Sequence, residues 1–220
     1  TEEALTTAER ARARAFALQL SSQLQDIDDR ELQTSEALDL PSLSNIQQTA
    51  RDTNTTIVEY AFIFNQALHI WVVSPSGKIE FRTVKFDDNN NSTLSDINAL
   101  NSLLSNSTRQ PSTLDSVISD TRATINVIGT NTNPDHLKEL HQLLIKPIAD
   151  LLPNNPTDKV AFIPQGSLFL VPFAALQDPD GTYLIEKHTI LTAPSIQVLG
   201  LAHEAAQSRT TPTNKNTLIV

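Results

Sequence analysis

Apolar residues recur along this chain at two different periods, and the change of period divides it into segments. Between Thr7 and Leu24 the apolar positions Ala13, Phe16, Ala17, Leu20 and Leu24 fall three and four residues apart, one stripe of a helix. Leu43, Ile46 and Ala50 predict a second, shorter helix capped by Ser42 or Ser44. The pattern then becomes β-like. Thr56 to Phe64 and Leu68 to Val73 are rich in β-branched and aromatic residues, and Ser74, Pro75, Ser76 and Gly77 join the second run to Lys78 to Lys85 as a hairpin turn. An antiparallel meander is expected. In its third strand Ile79, Phe81 and Thr83 alternate with Glu80 and Arg82, which predicts one wet face.

Two loop-like stretches, 87 to 92 and 105 to 113, flank a helical pattern at Leu94, Ile97, Leu100 and Leu104. Residues 114 to 128 read as helix early and irregular structure late. Pro134 opens a long apolar stripe through Leu137, Leu140, His141, Leu144, Ile145, Ile148, Leu151 and Leu152, which Pro147 must kink or split. Residues 159 to 195 hold the densest apolar content. Val160 to Ile163 predicts a strand buried on both faces, and with the run from Ser167 to Val171 it suggests a core hairpin followed by a packed loop. After the turn Asp178 to Gly181, Tyr183 to Glu186 leads into a strand at His188 to Thr192. Ser195 then caps a helix whose face is Ile196, Leu199 and Leu201 or His203. A helix followed by a short buried strand is the order of an α/β unit. At Asn216 to Val220 a further buried strand is expected to begin.

Of the 220 residues, 39% are hydrophobic, enough for a folded core. No apolar run approaches the roughly 20 residues that span a bilayer, and no leader pattern opens the chain, so a cytoplasmic placement and no membrane contact are expected. A formal charge of -9 opposes a nucleic-acid footprint. The one basic cluster, Arg10, Arg12 and Arg14, lies among Glu2, Glu3 and Glu9 and reads as a solvated or partner-facing helix surface. The chain has neither cysteine nor methionine. The first absence removes disulfides, thiolate metal sites and a cysteine nucleophile. The second, with the abrupt strand at 216 to 220, leads us to expect both termini to be cuts through a longer protein.

Candidate chemistry is sparse. His69 and Trp71 share a strand face, which is the pattern of a half-buried pair before it is that of a pocket. His141 lies on an apolar stripe without a second ligand at metal spacing. The Asp178, Pro179, Asp180, Gly181 turn begins like a calcium loop but lacks the later bidentate Glu. Ser195 can be combined on paper with His188 or His203 as nucleophile and base, yet no Gly-x-Ser-x-Gly elbow surrounds it. Asn54, Asn90 and Asn106 open Asn-x-Ser/Thr sequons that are discounted without a leader. No catalytic, cofactor-binding or metal-ligating residue is assigned, and no cofactor is expected.

One family pattern does run through the chain. It consists of the helix Ala8 to Ala13, the meander, the run Leu143 to Ile148, and the turn Phe162 to Leu168. The runs Pro172 to Leu176 and Tyr183 to Glu186, then Pro194 and Ser195, complete it. In that order these resemble the first part of the CHAT domain, the caspase-like and separase-like module associated with tetratricopeptide repeats in bacterial proteins. The resemblance implies an α/β fold with a caspase-like mixed sheet flanked by helices, an antiparallel meander and a leading helix from a repeat array. It implies residues 1–40 as helix and linker of an upstream repeat region and 41–220 as the amino-terminal part of the domain. It further implies a His and Cys dyad of a cysteine peptidase beyond Val220, with none of His69, His136, His141, His188 or His203 at the family's His position. This chain would then support the active half and connect it to a sensor that meets protein partners or substrate. A pseudopeptidase or interaction scaffold is the second reading, and an unrelated α/β hydrolase using Ser195 the third.

Overall fold

The computed structural model describes residues 2–23, 41–63, 67–85 and 134–209. The expected helix at 94 to 104, the segment 114 to 128, the linker through 24–40 and the strand at 216 to 220 lie outside them, as do Asn90 and Asn106. The elements in chain order are helices α1 (Glu2–Gln23) and α2 (Leu43–Thr53), strands β1 (Thr55–Ile63), β2 (Ala67–Val73) and β3 (Ile79–Lys85), helix α3 (Pro134–Leu144), strand β4 (Lys159–Ile163), helix α4 (Leu184–Lys187), strand β5 (Thr189–Thr192) and helix α5 (Ile196–Ser208). Short 3₁₀ segments cover Lys146–Leu151, Gly166–Leu170 and Phe173–Ala175. The fold is α/β, built on a mixed five-stranded sheet in the order β3-β2-β1-β4-β5.

β1 is the middle strand. It pairs antiparallel with β2, Ile57 opposite Val73, and parallel with β4, Val58 opposite Phe162. β4 in turn pairs parallel with β5. The period of two along β1 sends Ile57, Glu59 and Ala61 to one face and Val58, Tyr60 and Phe62 to the other. On the second face Tyr60, Phe162 and Phe173 stack, with Phe162 and Phe173 centroids 4.3 Å apart and 9° from parallel. α3 and the 3₁₀ turn after it cover these rings with Leu140, Leu144, Ile145 and Ile148. On the first face Ile57, Trp71, Val73 and Ile163 meet Leu5 of α1, Ile46 and Ala50 of α2 and Ile196 of α5. Helices therefore lie on both sides of the sheet, which is why β1 and β4 read as continuous apolar runs.

Several local expectations hold for physical reasons. Ser42 caps α2 in a reciprocal pair with Asn45, its hydroxyl accepting Asn45 N at 3.2 Å. Asn54 ends α2 in the left-handed conformation at φ 47°, which its short polar side chain tolerates. The β2–β3 turn needs Gly77 at φ 83°, with Gly77 N donating to Ser74 O at 2.8 Å. Pro147 stops α3 and turns the remainder into the 3₁₀ segment. Ser195 caps α5 by accepting Val198 N at 3.1 Å.

Two expectations are corrected. The run Ser167 to Val171 is not a hairpin strand, because β4 already has parallel neighbours on both edges, and Gly166–Leu170 folds as a 3₁₀ turn with Phe169 and Leu170 exposed. The expected wet face of β3 is partly covered, since Val84 packs into the α3 core and Arg82 reaches Asp150 at 2.9 Å. Tyr183 to Glu186 leads into β5 as expected, by way of the short helix α4, closed by Glu186 accepting Tyr183 N at 2.8 Å.

Phe162→Ala opens a cavity inside the aromatic stack and should cost about 3–5 kcal/mol. Tyr60→Phe deletes the buried hydroxyl that donates to Leu144 O at 2.9 Å, at a cost of about 1–2 kcal/mol. Urea unfolding midpoints of the two variants give the order.

Candidate functional site

The polar chemistry of the core gathers where α1 meets the carboxyl ends of β1 and β4. Glu59 points from β1 into the apolar layer under α1, flanked on its strand by Ile57 and Ala61 and opposite Trp71, and is fully buried. Arg12 of α1 comes down on it, with Nε 3.1 Å from Glu59 Oε1. The rest of the guanidinium donates to backbone oxygens that the sheet leaves free at its carboxyl edge. Nη1 reaches Pro164 O at 2.7 Å and Ile163 O at 3.3 Å, and Nη2 donates to Tyr60 O. One side chain thus clamps β1 and β4 together at the end of their parallel pairing. Arg12 therefore does not belong to the solvated basic surface expected from sequence. Arg10 is also used, donating to Pro41 O at 3.0 Å, while Arg14 is exposed.

A second buried carboxylate stands one helical turn before Arg12. Glu9 Oε1 accepts Gln197 N at 2.8 Å at the amino end of α5, where the helix dipole favours negative charge. Glu9 Oε2 and both oxygens of Glu59 are buried without a well-aligned hydrogen-bond donor. Two buried acids thus share one guanidinium. Burial raises the Glu59 carboxyl to about 8, Arg12 opposes the rise and Glu9 adds to it. Burial also raises Glu9, against the backbone N–H groups of Gln197 and Ile196 and the charge of Arg12. Near neutral pH Glu59 holds a proton.

Beside Arg12 a groove of about 400 Å³ opens at the carboxyl ends of the parallel strands, lined by Ala11, Phe16, Ala61, Pro164, Phe169 and Pro194 among others. This is where ligands sit in open α/β sheets. Its walls are apolar and it presents no nucleophile beside a base. It can receive apolar surface, and nothing in it transfers a proton.

The residues weighed from sequence fall elsewhere. Ser195 is fully buried and its hydroxyl is occupied in capping α5. His188 closes α4 before β5 begins, so the length of β5 separates it from Ser195, and His203 lies beyond two turns of α5 with its Nε2 2.8 Å from Gln207. The serine hydrolase arrangement is excluded by this placement. His69 stands edge-on to Trp71 and Phe81, centroids 5.6 and 4.9 Å apart, as a half-buried aromatic neighbour. Asp178 to Gly181 is a turn, with Gly181 N donating to Asp178 O at 3.0 Å. Among the described residues no group of three or more His, Asp or Glu could hold a metal, and no helix is long and apolar enough to cross a membrane. Sequence reading missed Glu9 and Glu59. Glu59 was visible as the single charge inside a nine-residue apolar strand.

The native state holds the Glu59 proton from about pH 4.5 to about 8 while the unfolded chain has released it, so this group makes stability fall as pH rises through that window and level off above it. The slope should reach at most about 1.4 kcal/mol per pH unit, and Glu59→Gln should flatten it, as read by urea unfolding between pH 5 and pH 9. Ser195→Ala should cost about 0.5–2 kcal/mol through the lost cap.

No curated protein and no solved structure gives a significant match to the chain. Residues 134–220 match the family model of the CHAT domain, a segment that includes α3, β4, α4, β5 and α5 and leaves the meander and α1 outside. From residue 134 onward the chain is thus similar to a CHAT domain, the family that its sequence resembles.

Proposed function

We propose that this chain is the amino-terminal, non-catalytic part of a caspase-like cysteine peptidase of the CHAT type, with residues 1–40 linking it to an upstream helical repeat region and 41–220 supporting the active half. The family match over 134–220 supports the caspase-like assignment. The observation that carries the linking role is the fastening of α1. Arg12 and Glu9 tie that helix to the carboxyl ends of β1 and β4 and to the start of α5. A displacement of α1 by anything attached to it would expose a buried carboxylate and free three strand-end carbonyls. The sheet edge therefore feels what α1 feels.

Because the sequence holds no cysteine, this reading requires the nucleophile to lie on a further segment of the parent polypeptide. Residues 1–220 alone should hydrolyse no peptide. A polypeptide that continues past Val220 should hydrolyse a protein substrate, lose that activity on a Cys→Ala change at the dyad and on thiol alkylation, and keep it in Ser195→Ala after correction for folded fraction. In the same polypeptide Arg12→Ala should uncouple activity from the repeat region. A longer polypeptide that binds partners through this region yet cleaves nothing would replace the peptidase with an interaction scaffold.

A further inference from the structure

Among the described residues the two edges of the sheet are β3 and β5. β5 offers the four uncharged residues Thr189–Thr192, whose order favours no particular register. β3 offers seven, Ile79–Lys85, and their order carries more information. The turn bond from Ser74 N to Lys78 O sets the alternation of the β2–β3 ladder. Pairing runs without a bulge from Val73 opposite Ile79 to Ala67 opposite Lys85. Glu80, Arg82 and Val84 therefore direct their backbone groups to β2, while Ile79, Phe81, Thr83 and Lys85 turn N–H and C=O outward. Such a row is a template for another strand.

The side chains divide in the same way. Ile79 and Phe81 lie on the α1 and α2 face, where Phe81 is partly buried beside His69 and Trp71, centroids 4.9 and 5.3 Å away. Glu80, Arg82 and Val84 lie on the α3 face. Glu80 stands 3.1 Å from Lys78 and Arg82 2.9 Å from Asp150, ion pairs exposed enough to be worth little. Both charges can thus be redirected to a strand laid along the edge.

The charge order selects a second copy of β3 as that strand. A two-fold axis through Arg82 would overlap all seven residues, yet it sets two guanidiniums directly opposite each other, and an axis through Glu80 does the same to two carboxylates. With the axis through Thr83, Arg82 meets Val84 and Phe81 meets Lys85, so no ion pair forms. With the axis through Phe81, Ile79 faces Thr83 of the second copy, the two phenyl rings meet, and Glu80 faces Arg82 on both sides of the axis. We propose that two copies of this chain pair antiparallel along β3 in this last register, joining their five-stranded sheets into one continuous sheet. Its charged rows make the same edge reject the neighbouring registers, which is how an exposed strand becomes a specific interface.

Sedimentation of the whole chain over a rising concentration series should pass from monomer to dimer. Glu80→Arg and Arg82→Glu each set like charges opposite at two symmetric places and should weaken association about tenfold. An equimolar mixture of the two variants should associate again, since every facing pair is then opposite in sign, and the double change in one chain should do so too. Both side chains are partly exposed, so the variants should unfold as the parent does. The chain has no cysteine of its own. Phe81→Cys should therefore cross-link to itself under mild oxidation, its Cα atoms lying about 5.5 Å apart across the axis. Thr83→Cys alone should not, and should cross-link only when mixed with Ile79→Cys, a pair that still reads the register if Phe81→Cys fails to fold. A monomer at every concentration, association indifferent to the charge changes, no recovery in the mixture, or Thr83→Cys bonding to itself would overturn the proposal.

Discussion

The structure depends on β1 being enclosed on every side. β2 and β4 take its two edges, the first antiparallel and the second parallel, and helices cover both of its faces. A strand in that position can be satisfied only if every residue on it finds an apolar or hydrogen-bonded place. Seven consecutive residues from Thr55 to Ala61 are buried. The meander on one side and the parallel β4–β5 pair on the other are joined through this strand alone, so its packing holds the two parts in one sheet.

Glu59 is the exception on which α1 depends. A carboxylate in such a strand would cost several kcal/mol if left charged and unpaired, and the structure lessens that cost in two ways: it brings Arg12 to it and it raises its affinity for a proton. Arg12 is held in turn by the backbone oxygens of Tyr60, Ile163 and Pro164, so α1 is positioned by charge and by strand ends as much as by Leu5 packing. Glu9 extends the same logic to α5, whose amino end is served from outside by a carboxylate and from inside by Ser195. An arrangement built on one shared guanidinium is well suited to transmit displacement, because losing any one member leaves another buried and unsatisfied.

Much of the fold was legible because local rules sufficed. The Ser42 cap, the Gly77 turn, the split at Pro147 and the cap at Ser195 are each decided within four or five residues of chain. The meander showed itself by β-branched content and turn chemistry. Where reading failed, the deciding partner was distant. The run Ser167 to Val171 has the apolar content of a strand, yet the neighbours of β4 were already fixed by β1, more than 90 residues earlier, and by β5, so the run turned into 3₁₀ structure. Ser195, His188 and His203 looked combinable in sequence, and an intervening strand and two helical turns hold them apart.

Sequence by itself determined the class of this protein: an acidic, cysteine-free α/β chain whose motif order resembles the first part of a CHAT domain. It did so because composition, period and short motifs are properties of neighbouring residues. Tertiary structure decided which charges are buried and which side chains meet. Arg12, indistinguishable in sequence from Arg10 and Arg14, became the clamp of the sheet because helical spacing turned it toward Glu59. Burial and proximity are sums over long-range contacts, and no window of sequence contains them.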